Sequence, residues 1–195
     1  MAQGQGVKTN DDGGWMRLGT LPVAAFVLVA LNGLYLAIVA FGNITDFGTN
    51  WAFVQHVLSM DTTNFGAAQG TDLDPDVMWR AIDNETIQRF LYILLIGWEV
   101  LTGVVLLGAA AIAVREASGN TGFRRARAIG TLGLTMMLLL FFGGFIVIGG
   151  EWFQMWKSTA WNGLDPAFRN SVLALGTLVL LHLPSPQWGS PREAA

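Results

Sequence analysis

The stretch 90–114, FLYILLIGWEVLTGVVLLGAAAIAV, constrains this chain more than any other, because it carries a single ionisable side chain, Glu99. A helix of that length, at ~1.5 Å per residue, crosses a ~30 Å hydrocarbon layer. A carboxyl group is costly in lipid, so Glu99 is expected to face other helices and to be protonated or hydrogen-bonded. Helical spacing places Tyr92, Glu99, Thr102, Gly103 and Ala110 on or near one face, whose small residues permit close helix approach.

Three more apolar runs, 18–41, 128–148 and 166–183, make the expected fold an all-α integral membrane protein. It is read as an antiparallel four-transmembrane-helix bundle with short extracytoplasmic interfacial helices. Residues 1–17 form one tail, 18–183 one membrane domain and 184–195 a second tail. Only 13% of residues are charged and 52% are hydrophobic, whereas charged residues make up about a quarter of a soluble domain. The absence of cysteine excludes a disulfide framework, a thiolate metal site and c-type haem attachment. The net charge of -3 argues against a nucleic-acid partner.

The placement of charge is informative. The loop 115–127 has four arginines against one glutamate, and with the two tails it puts seven Lys/Arg on one side of the membrane against four on the other. The positive-inside rule then places both termini in the cytoplasm, with the first span read as an uncleaved signal anchor.

Asn32 lies nine residues before the end of the first run, and Glu99 nine residues after the start of the second. In antiparallel helices they reach the same depth, so Glu99 is expected to bond to Asn32, with Tyr35 and Thr102 as the other candidates. In the third run Gly130, Gly133, Met137, Leu140 and Gly144 form a stripe suited to tight packing. Gly149-Gly150 is expected to break or bend the chain after it.

The connection 42–89 reads as structured. Trp51, Phe53, Val54, Val57, Leu58 and Met60 fill one half of a helical wheel, and Ala52, Gln55, His56 and Ser59 fill the other. An interfacial amphipathic helix has that pattern. Asp74-Pro75 opens a short helix through Trp79 and Arg80, and Asp83 or Asn84 caps the second span. Asp165-Pro166 opens the fourth. Asp72, Asp74 and Asp76 alternate as in the start of a calcium loop, but Val77 stands where that loop needs glycine, so capping and solvation explain them better. His56 and His182 fall at opposite membrane boundaries and cannot clamp one haem within a single chain.

Several ordered segments carry a resemblance: Gly42-Asn43-Ile44-Thr45-Asp46, the run from Phe53 to Thr62, Trp79-Arg80-Ala81-Ile82, Trp98-Glu99, the run from Glu151 to Trp156, and Trp161-Asn162-Gly163. Together they resemble a bacterial family of predicted small integral membrane proteins, a domain of unknown function. The resemblance implies a four-helix protein of the bacterial inner membrane with these motifs at the extracytoplasmic face. It implies no activity.

No nucleophile–base set, phosphate-binding loop, dinucleotide fingerprint or metal-ligand cluster is present, so the chain is read as non-catalytic. Trp51, Phe53, His56, Met60, Trp79, Trp152, Met155, Trp156 and Trp161 gather on one side and form an expected partner surface, since Trp and Met are enriched where proteins meet. The leading reading is an accessory subunit of a larger membrane complex, respiratory or photosynthetic, whose partners are other membrane protein subunits and lipids. The other is a small transporter or channel using Glu99. No cofactor is called for; a bound lipid or quinone is compatible with either.

Overall fold

Four helices of the computed structural model are long and apolar enough to cross a membrane. Residues 16–119 and 121–189 are described, so most of the expected tail 1–17 and the last part of 184–195 lie outside the described residues. The helices are α1 (Leu21–Thr45), α3 (Glu85–Gly119), α4 (Arg124–Leu138) with its continuation to Trp152, and α5 (Leu164–His182). A shorter helix, α2 (Phe47–Ser59), follows α1 after a turn at Asp46. No strand occurs among the described residues.

Local chemistry sets the helix ends. Pro22 sits in the first turn of α1, where no N–H is required of it. Asn84 caps α3, its Oδ1 accepting from the Ile87 N–H at 3.1 Å. Before α5, Asn162 Oδ1 accepts from the Leu164 N–H at 3.1 Å, so Asn162 rather than Asp165 starts the turn. The helices run past the apolar stretches because helical bonding continues through Asn43, Thr45, Glu85 and Arg124 into the interface. At ~1.5 Å per residue, the 35 residues of α3 exceed the hydrocarbon thickness.

Gly149-Gly150 does not break the third span. From Leu139 to Trp152 the chain continues as a π-helix, and the Phe153 N–H still donates to the Ile148 carbonyl at 3.0 Å. The wider turn rotates the residues beyond Leu138, which is why Gly130, Gly133, Met137 and Leu140 of the small-residue stripe are buried while Gly144 is only half-buried.

The helices pack in a ring, α1 against α3, α3 against α4, α4 against α5, and α5 back against α1, with neighbours antiparallel. Small residues fix the α1–α3 and α3–α4 seams. A Cβ on Gly33 would lie 2.9 Å from Leu106 Cβ and 3.0 Å from the Leu107 backbone nitrogen. One on Gly133 would lie 2.7 Å from Leu106 Cδ2. Glycine is what lets these backbones approach.

The bundle has two unlike ends. Arg115, Arg124, Arg125 and Arg127 mark one, the arginine end. There the turn Pro186–Trp188 folds back instead of trailing away: Trp188 is buried against Phe26 and Phe123, with the Arg127 guanidinium 4.6 Å over its ring. The other, the capped end, carries α2 and the connections on either side of it. Residues 51–59 of α2 are all half-buried, so the expected split into an apolar and a polar face is not realised. The helix lies between Tyr92 and Phe145 of the bundle and Trp161 of the neighbouring connection, and it uses both sides.

A polar cavity beneath the cap

Most of the face of α3 expected to turn inward does so: Tyr92, Glu99, Thr102 and Gly103 are all buried, while Ala110 is half-buried. The partner of Glu99 is not the expected one. Asn43, near the end of α1, donates through Nδ2 to Glu99 Oε2 at 2.8 Å. Asn32 instead donates to Thr177 Oγ1 at 3.1 Å and to the Leu28 carbonyl at 2.9 Å. Thr102 donates to the Trp98 carbonyl, and the Tyr35 hydroxyl accepts from Asn170 Nδ2 at 2.9 Å. Neither is bonded to Glu99.

The register explains the correction. Gly33 abuts Leu106 and Leu107, and Gly103 abuts Ala37. Asn32 is therefore level with the region of Leu106, seven residues or ~10 Å along α3 from Glu99. Matching the ends of the two apolar runs misjudged the depth because the helix ends are not level: the glycine contacts place the end of α1 at Thr45 roughly ten residues into α3, which begins at Glu85.

Around Glu99 the helices part to leave a cavity of about 380 Å³. Its floor holds Glu99 and Tyr92, which are only 3% and 1% exposed. Its exposed rim comprises Tyr35 of α1, Asn50 of α2, and Asn162 and Pro166 at the start of α5, so it opens at the capped end beside the α1–α5 seam. A hydrogen-bonded chain leads in from the rim: Asn50 Nδ2 donates to Asn43 Oδ1, and Asn43 donates to Glu99. The Tyr92 hydroxyl is buried with no partner. Such a group costs free energy unless something else satisfies it.

Rings shape the walls. Tyr92 packs 4.6 Å from Phe47 between ring centroids, and Phe53 stacks on Phe145 at 6.2 Å. Gly163 closes the side, where a Cβ would lie 2.9 Å from Phe53 Cζ. Glu99 is the only charged residue in the lining, and no Lys, Arg or His among the described residues pairs with it. Among the same residues, no group of three His, Asp or Glu is placed to hold a metal ion.

Sequence reasoning picked out Glu99 and the Tyr92 face but missed Asn43, Asn50 and Asn170. Asn43 and Asn50 lie seven residues apart, two helical turns, yet a turn at Asp46 separates their helices, so spacing alone did not join them.

The nine residues of the expected partner surface do gather at the capped end, but most serve the fold. Met60 and Met155 are buried, Met155 against Gly149 and Met60 in the left-handed turn that ends α2. His56 stacks on Trp161 at 4.7 Å and binds Asp61 through Nδ1 at 2.9 Å. Trp51 and Phe53 face Tyr92 and Phe145. Trp79, Trp152 and Trp156 remain exposed. Arg80 lies over the first two at 5.5 and 5.2 Å, and Lys157 over the third at 5.4 Å. Pairs of aromatic ring and cation at one level suit the headgroup zone of a bilayer.

No curated protein and no solved structure matches this chain. A family model does, over residues 21–184, which takes in all four spans and the cavity. The chain thus belongs to the family described as predicted small integral membrane protein (DUF2165).

Proposed function

We propose that this protein is a small, non-catalytic membrane transporter that takes a small molecule into the cavity at the capped end and holds it at Glu99. The observation that carries this reading is a buried, unpartnered tyrosine hydroxyl beside an unpaired carboxyl group, in a cavity with an exposed rim. Polar groups placed in an otherwise apolar pocket are what small-molecule sites are built from. The four arginines at the opposite end support placing the capped end outside the cytoplasm and both termini within it.

The test is native mass spectrometry of the full chain, extracted from its own membranes in mild detergent. A bound non-lipid mass is expected on the unaltered protein and should be lost from Val39→Phe, which fills the cavity from α1. Identical spectra from both proteins refute the reading.

Exposed Trp79, Trp152 and Trp156 favour a second reading, an accessory subunit of a larger complex docked at the capped end and embedded among lipids. Replacing Trp152 and Trp156 by alanine then releases a co-purifying protein while the spans stay inserted. A chain that migrates alone in native gels before any replacement rules this out.

A further inference from the structure

We infer that the ligand of this cavity is an organic cation, a protonated amine carried on a compact apolar body; the inference rests on the cavity being a small-molecule site. Three observations converge on that class. Glu99 lies on the floor with no basic side chain paired to it, and the lining contains no Lys, Arg or His, so an anion finds no opposite charge there. An ammonium group supplies the missing charge. The hydrogen bonds of the site also have a direction. Asn50 donates to Asn43 and Asn43 to Glu99, so the carboxyl group is used as an acceptor. The Tyr92 hydroxyl, unpartnered on the same floor and able to accept as well as donate, adds its lone pairs to those of Glu99 for a ligand that brings N–H donors.

The walls account for the rest of the molecule. Five of the lining residues are aromatic, among them Phe53, Phe141 and Phe145, and an aromatic enclosure holds both an apolar body and, through the ring faces, a cation. A quinone headgroup fits less well, because its carbonyl oxygens can accept from the Tyr92 hydroxyl but bring nothing to donate to the Glu99 carboxyl group. A bare metal ion lacks a ligand set among the described residues.

The experiment uses the full chain in lipid nanodiscs, with empty nanodiscs as background and ligand-detected NMR as the measurement. Three probes are compared: 2-phenylethylammonium, its neutral counterpart 2-phenylethanol, and a tail-less dimethoxy-methyl-benzoquinone. The cation should bind at least about tenfold more tightly than the alcohol, a difference in the range expected for a hydrogen bond to a charged group. Glu99→Gln, which keeps an oxygen for Asn43, should erase that preference while leaving the alcohol unchanged. Tyr92→Phe, which removes only the hydroxyl, should weaken the cation several-fold. Equal binding of cation and alcohol, tighter binding of the quinone, or an undiminished preference in Glu99→Gln overturns the cation assignment and leaves the cavity reading standing. If none of the three binds and Val39→Phe changes no spectrum, the cavity reading falls as well.

Discussion

The pairing of Glu99 with Asn43, in place of Asn32, sets the register of α1 against α3, and a pair of double-mutant cycles measures it. The bond is 2.8 Å long and each residue is 3% exposed, so water cannot readily replace either partner. In soluble proteins a hydrogen bond to a charged group contributes ~1.5–3 kcal/mol, whereas couplings measured between membrane helices average ~0.6 and reach ~1.7 kcal/mol. Burial on both sides puts this pair near the upper membrane value, at about 1–1.5 kcal/mol of coupling between Asn43→Ala and Glu99→Ala. The Asn50 amide released by Asn43→Ala is exposed and can turn to water, so it adds little. Asn32→Ala loses its bond to Thr177, but at ~10 Å from Glu99 its coupling to Glu99→Ala should be within ~0.5 kcal/mol of zero. Reversible unfolding in mixed micelles of increasing SDS fraction supplies the four free energies of each cycle. A larger coupling for Asn32 than for Asn43 would refute the register and, with it, the cavity built on it.

Gly33→Ala should destabilise the bundle by about 1–3 kcal/mol in the same assay, because its Cβ meets the Leu107 backbone, which cannot rotate away. Gly97→Ala is the control, with nothing within 4 Å of its Cβ, and should be neutral or slightly stabilising; equal effects from the two would count against the close α1–α3 seam. For orientation, a cysteine at exposed Asp76 should react in intact cells with an impermeant thiol reagent, and one at exposed Ser118 only after lysis. The reverse pattern would invert the arrangement.

Hydropathy made the four spans legible, since a run such as 90–114 with one ionisable residue admits few folds besides a membrane helix. Periodicity likewise gave the inward face of α3, and the order of the runs made an up-and-down bundle the simplest topology. These are local properties, and a chain carries them without knowledge of its neighbours. Depth is not local. Where Asn43 meets Glu99 depends on which small residues let two backbones touch, and so on how far one helix projects past the end of the other.

The cap was read correctly as helical, but which of its aromatic and methionine side chains stay exposed was not legible. An aromatic or methionine at a membrane boundary looks the same in sequence whether it faces lipid, a partner or its own chain. The tertiary structure decided that by stacking His56 on Trp161, burying Met60 and Met155, and leaving Trp79, Trp152 and Trp156 outside. The cavity itself belongs wholly to that level. Its lining comes from all five helices or their flanks, through residues more than a hundred positions apart, so only the packing of the whole bundle brings Tyr35 and Asn170 to the same opening as Tyr92 and Glu99.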